Sequence, residues 1–353
     1  MQKGKLMMVF CLAFSFMMTP KAWAGEKPVW LDPGREALGR AMSEIGLPKG
    51  DRNILVLTNA GYGSVGDQST EAFLDIVPKE TGASMGTRSL LPLHTGIQEP
   101  LWCSLYRKDT GKVVFLKWTG RGFEQETIDA SPPKILNPEG WKKASSGLIG
   151  QRVFSVVSVS LTWSVDPPWA LLRAATFHDH FCPGVNSGYI AGQYLMEKLP
   201  LGRGDKYVFV ISPGKCAADA LQVMFNTTAG KASGYAMAIA KEDLDKYTKG
   251  GVQPSIIAMR VNKKSDTCDG MALGFQWNKA YADTGVSSQE MAPKGGPGNP
   301  MFWIARVKMS RELARMPKER LLGYITTLKV FAGKADLADK VAGGDPYAVI
   351  WKK

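Results

Sequence analysis

One pattern occurs twice along this chain, and it limits the possible folds more than any other feature. The first copy reads Asp32-Pro33-Gly34, a helical stretch through Glu44, the breaker Gly46-Leu47-Pro48-Lys49-Gly50, then the apolar run Ile54 to Leu57. The second reads Cys182-Pro183-Gly184, a helical stretch through Leu199, the breaker Pro200-Leu201-Gly202, then Tyr207 to Ile211. A glycine-containing loop and a second helical stretch follow each strand; these helices carry Asp75 and Asp219 and are expected to close on Gly86 and Gly230. Extended segments come next, Leu101 to Trp118 in one half and Ser255 to Arg260 with Met271 to Trp277 in the other. Five features recurring in order predict one α+β unit used twice, with a cleft where two similar halves meet.

The segment between the copies, Thr127 to Pro168, is rich in turn residues and holds one good strand candidate, Val153 to Trp163. Beyond them, Gly295 to Pro300 reads as a linker. Ser310 to Ala342 reads as helix interrupted at Pro317, a packing appendage without evident chemistry.

Lys3 and Lys5 precede an apolar run from Leu6 to Met18, and Ala22-Trp23-Ala24 follows. This predicts a secretory signal peptide cut after Ala24 and a periplasmic or otherwise exported chain, with no membrane span left. Removing Lys3, Lys5 and Lys21 takes the formal charge from +12 to +9. The remaining lysines and arginines are dispersed and do not interleave with aromatics, which argues against nucleic acid. The expected divisions are 1–24 signal peptide, 25–126 first unit, 127–168 connection, 169–284 second unit and 285–353 C-terminal extension.

Only three histidines occur, and two fall in Phe177-His178-Asp179-His180-Phe181-Cys182-Pro183-Gly184. Imidazole and thiolate are the donors that transition ions prefer. His178, His180 and Cys182 alternate, so an extended stretch would place them on one face. Cys216 follows the second apolar strand at another helix start, where backbone N–H groups favour the thiolate. These four are the candidate metal ligands, with Zn²⁺ the first expectation and Fe²⁺ the second. Cys182 and Cys216 double as candidate catalytic thiols. Asp219 and Gln222, on the helix after Cys216, are candidates for orienting the ligands. A Cys182–Cys216 disulfide is the competing reading in an exported chain.

The run Phe177 to Gly184, then Cys216-x-x-Asp219-Ala220-Leu221-Gln222, then Gly230-Lys231, resembles the core of the FmdE family, named for formylmethanofuran dehydrogenase. The resemblance spans Ala174 to roughly Trp277. It implies an α+β core, dimeric assembly, a cysteine/histidine metal-binding cleft and a supporting role for Lys231. Trp102 to Lys112 resembles the family's later strand and turn, which makes the first half a degenerate copy. Two FmdE-like units in tandem would then form a pseudo-dimer within one chain, with a helical C-terminal appendage. The family's extra cysteine before the Gly-Lys pair is absent, since Phe225-Asn226-Thr227 stands there. The first half offers Pro28, Trp30 and Asp32 at the ligand positions and Ala72 near that of Cys216, so one site per chain is expected, with the first half as its wall or lid.

Other signals are weaker. Gly61-Tyr62-Gly63-Ser64-Val65-Gly66 fits a dinucleotide fingerprint, but no acidic residue closes a second strand at the required distance; a loop over the cleft is expected instead. His94 stands alone and reads as structural. The functional alternatives are an exported metal- or thiol-dependent enzyme and a non-catalytic periplasmic carrier of a metal or metal-containing cofactor. The small molecule or cofactor that would partner it is not named by the sequence.

Overall fold

A computed structural model describes residues 27–213 and 215–352. The signal-peptide expectation lies outside the described residues. Among those described, no helix is long and apolar enough to cross a membrane.

The first half runs α1 (Leu31–Ile45), β1 (Ile54–Thr58), α2 (Phe73–Thr81), β2 (Leu90–Pro92), β3 (Trp102–Arg107), β4 (Lys112–Trp118) and β5 (Phe123–Asp129). After the short helices Pro132–Ile135 and Pro138–Ser145 come α3 (Val153–Trp163) and α4 (Trp169–Phe177). The second half runs α5 (Pro183–Lys198), β6 (Lys206–Ile211), α6 (Ala217–Phe225), β7 (Gly234–Ala236), β8 (Pro254–Asn262) and β9 (Thr267–Phe275). Helices α7 (Trp277–Thr284) and α8 (Pro300–Arg315) precede a last strand, β10 (Ile325–Gly333).

The sheets are ordered β2-β1-β3-β4-β5 and β7-β6-β8-β9-β10. In each, the first strand after the opening helix pairs parallel with the short edge strand, Val56 opposite Leu90 and Phe209 opposite Gly234. Every other pairing in both sheets is antiparallel. The two halves thus share strand order and direction through five strands, and the whole is mixed α+β as expected.

Period-two alternation decides what each strand face buries. Ile54, Val56, Leu105 and Val114 pack with Leu38, Phe73 and Ile76 of α1 and α2. Leu55, Leu57, Trp102 and Phe115 face the central core. In the second sheet Tyr207, Phe209 and Ile211 face that same core from the other side, with α5 and α6. Val208, Val210 and Met259 face the C-terminal helices that carry Val341 and Tyr347. Strands covered on both faces read as unbroken apolar runs, which is what the sequence shows at 54–57 and 207–211.

Three expectations are corrected. Val153 to Trp163 is helix α3 with the expected bounds but the other type. Residues 153–162 are all buried, and a helix satisfies its own backbone groups inside such an enclosure without a neighbouring strand. The helices bearing Asp75 and Asp219 stop earlier than Gly86 and Gly230, at Gly82 and Asn226, both left-handed. In the tail, Ile325–Gly333 is a strand. Its Thr326, Thr327, Val330 and Phe331 suit an extended chain, and the free edge of β9 accepts it.

Candidate metal centre

A glycine stripe on α5 assembles the site. Gly184, Gly188 and Gly192 recur every four residues, so they line one helix face. A Cβ on Gly184 would stand 2.8 Å from Cys216 Cβ, one on Gly188 2.5 Å from the Ala217 carbonyl oxygen, and one on Gly192 2.6 Å from Met224 Cε. Helix α6 therefore lies directly on that stripe. The contact brings the N-cap of α6, Cys216, against the N-cap of α5, Cys182. In α1 the stripe positions after Gly34 are Leu38 and Met42, and Ala72 caps α2 where Cys216 caps α6. The first half thus has the matching helix ends without the donors, and Trp30 there is buried core.

His178 caps the C-terminus of α4, just past its last turn. Its Nδ1–H donates to Asp219 Oδ2 at 2.6 Å, which fixes the ring and leaves Nε2 turned inward. Nε2 is buried and has no hydrogen-bond partner. His178, Cys182 and Cys216 each offer one donor atom, and these atoms lie within 4.8 Å of one another. Cys182 and Cys216 are free thiols, so the disulfide reading is not the observed state.

His180 stands outside this group of three. Its ring centroid is 4.4 Å from that of His178 and 4.7 Å from Phe154, and its Nδ1 bonds Asp179. Asp179, a non-glycine residue at φ 68°, is held in turn by Arg152 at 3.1 Å, and Arg152 also binds Glu99 of the first half. A chain of charges thus runs from the first half through the connection to His180. Of the supporting candidates, Asp219 touches the group directly. Lys231 is exposed and donates to Asn226 O at 3.4 Å, and Gln222 makes no hydrogen bond to the group.

Sequence reasoning missed three contributors. Ser158 of α3 accepts the Phe181 backbone N–H at 3.1 Å, bracing the residue before Cys182. Arg152, at the start of the same helix, holds Asp179. Arg306 of α8 lines a cleft of about 390 Å³ beside Cys182 and Cys216, with Phe275, Trp277 and Tyr281. A second cleft, of about 760 Å³, is lined by Arg152, Phe154, Asp179, His180 and Trp303. Serine in an apolar helix and cations in remote segments carry no spacing signal that could have marked them. His94 stacks on Phe177 at 5.3 Å, with Tyr62 against its other side at 4.9 Å. The Gly61–Gly66 loop, with a short hairpin at Ser64–Val65 and Gln68–Ser69, therefore lies over the segment leading into the site.

Residues 177–267 match a family model, FmdE, described as Molybdenum formylmethanofuran dehydrogenase operon. That segment is similar to the FmdE family. The matched segment holds all of His178, Cys182, Cys216 and Asp219, whereas Arg152 and Arg306 lie outside it. It also contains β6 to β8 but not the strand β10 that completes their sheet. No curated protein and no solved structure matches the chain.

The electrostatics of the group follow from its burial. Cys182 is buried, and the neighbouring Cys216 sulfur together with burial drives its thiol up. Cys216 moves down because Cys182 donates to it and His178 adds positive charge, despite partial burial. Burial alone would lower His178, but Asp219 and the nearby Cys216 sulfur push it up to about 9. The folded-state value is raised, so in the metal-free protein this contribution is fully present below 6.5 and is lost as pH rises toward about 9. Thermal unfolding of metal-free protein should show that decline, and His178→Ala should flatten it. An unchanged slope in the variant would assign the decline to other groups.

Proposed function

We propose that this chain is an exported protein that holds one transition-metal ion at His178, Cys182 and Cys216 and uses the centre for a metal- or thiol-dependent reaction. The observation that carries this reading is a group of one imidazole and two free thiols whose donor atoms lie within 4.8 Å of one another, with His178 Nε2 buried and unpartnered. An imidazole fixed through Nδ1 by a carboxylate is the usual arrangement of a histidine ligand. One nitrogen and two sulfurs suit Zn²⁺ or Fe²⁺ and are a poor match for Mg²⁺ or Ca²⁺, which take oxygen. Three protein donors rather than four favour a working site over a closed structural one. When bound, the ion would supply Lewis acidity at its open position.

The chain's own groups have separable roles in this reading. Asp219 holds the proton on His178 Nδ1, and burial keeps water from the Cys182 sulfur. Cys216, half-exposed in the cleft, is the thiol that an incoming molecule meets. The shared strand order of the two sheets supports descent from one duplicated unit, with the first copy serving as wall.

The test is metal analysis of protein purified without a histidine tag, before and after reconstitution with Zn²⁺ or Fe²⁺. About one ion per chain, taken up with release of protons from the thiols and imidazole, is the expected result. Less than a tenth of an ion per chain after reconstitution would sink the metal reading.

A further inference from the structure

Arg306 is a feature of the thiol cleft that a metal-binding centre does not require, and it is more enclosed than the exposed Lys215 that shares the cleft. It comes from α8, outside the matched segment. Its Nη1 donates to the carbonyl oxygens of Met291 (2.9 Å) and Phe302 (2.6 Å), and its guanidinium lies 3.3 Å from the Phe302 ring centroid. These contacts fix where the charge sits without neutralising it. Among the described residues no carboxylate forms an ion pair with Arg306, although Asp283 pairs with Lys279 and Arg320, and Glu312 with Arg315. A partly buried cation is costly unless an anion stands near it, and in this cleft the groups that do so are the sulfurs of Cys182 and Cys216 rather than a carboxylate. The same cleft carries an aromatic wall in which the Phe275 and Trp277 ring centroids are 4.5 Å apart, with Tyr281 beside them.

We propose that this cleft takes a small organic acid, with Arg306 holding its carboxylate and Phe275 and Trp277 covering its apolar part, so that its reacting end meets Cys216 and the centre beside it. This deepens the reading above and rests on the thiol pair being the working centre. A planar guanidinium is suited to a carboxylate because two of its N–H groups can bind the two oxygens together. A cleft of about 390 Å³ lies at the small end of ordinary ligand sites, which fits a compact acid rather than a cofactor.

The test compares iodoacetate with iodoacetamide at Cys216 in metal-free protein, followed by mass spectrometry. Each reaction forms a bond from Cys216 Sγ to the reagent carbon with the thiolate's electron pair, breaks the carbon–iodine bond and releases iodide. Only the carboxylate distinguishes the reagents. The rate ratio of iodoacetate to iodoacetamide is expected to exceed that of free glutathione about tenfold, a modest attraction for one screened charge pair. Arg306→Gln should bring the ratio most of the way down to the glutathione value, the exposed Lys215 of the same cleft keeping the remainder, and Arg306→Lys should restore part of it. A parent ratio equal to that of glutathione overturns the proposal. So does an Arg306→Gln variant in which both rates fall and the ratio stays high, because Arg306 would then act only on the thiolate. Should the variants not fold, the unaltered protein decides: benzoate should protect Cys216 from iodoacetamide and benzamide should not, and equal protection overturns the idea. The comparison needs no metal, so a chain that binds none would fail the earlier reading and leave this ratio to be judged alone.

Discussion

Cys182→Ser and Cys216→Ser are each expected to weaken transition-metal binding about a thousandfold. A sulfur- and nitrogen-bound Zn²⁺ is worth ~10–16 kcal/mol over three or four ligands, hence ~4 kcal/mol per ligand, and 1.4 kcal/mol is tenfold. Serine keeps the size of the side chain but loses the soft donor, so the fold should persist. Asp219→Asn sets the scale beneath it: the 2.6 Å bond to His178 survives in weakened form, and a loss of about 10–100-fold is expected for such an orienting group. Gln222→Ala and Lys231→Ala should change little, because neither side chain is bonded to the donor atoms. Competition titrations with a chromophoric chelator measure all five variants. An affinity order in which Lys231→Ala falls with the cysteines would mean that the centre lies elsewhere.

Gly188→Val is expected to cost the protein about 3 kcal/mol or more, a drop of roughly 4 °C or more in Tm for a chain of this length, and to abolish metal binding with it. The nearest atoms are not pliable side-chain ends. A Cβ would stand 2.5 Å from the Ala217 carbonyl oxygen and 2.7 Å from Ala217 Cα, both backbone of α6. The helix must therefore move away, and Cys216 moves with it. Gly230→Ala is the matched control, since no atom lies within 4 Å of the Cβ it would add. Calorimetry of the two variants beside the parent checks the claim. A Gly188→Val protein that melts within about a degree of the parent would show that α5 and α6 are not in contact through this stripe.

The parts of this molecule that the sequence disclosed are those governed by short-range rules. Pro183 after Cys182, the breaker at Pro200 and the apolar run to Ile211 mark a helix and a strand through local geometry. The second copy of that pattern at 31–58 then follows without further assumptions. The donors were legible because histidine and cysteine are scarce in this chain and cluster once. What stayed hidden depends on what surrounds a segment. Val153 to Trp163 is rich in β-branched residues and serine, a composition that favours strands, yet total enclosure makes it a helix. Ile325 to Gly333 looked helical through Leu328 and the leucines before it, but pairing with β9 decided otherwise. His180 was grouped with the ligands by its alternation with His178 and Cys182. The positive φ of Asp179 breaks the extended stretch on which that alternation depended, and the ring turns to Asp179 and Phe154 instead.

The late arrival of the last strand has a consequence for how the molecule is made. The first sheet is complete once residue 129 has emerged, because its five strands are nearly consecutive. The second waits for residues 325–333, held back by the helices of 276–324. During synthesis, β9 would therefore wait with an open edge while the first half is already finished. That edge is the aggregation hazard of the nascent chain. The cation at Arg306 and the closing strand are supplied by the same late segment, so a chain interrupted before about residue 320 would carry the sulfur donors without the finished cleft.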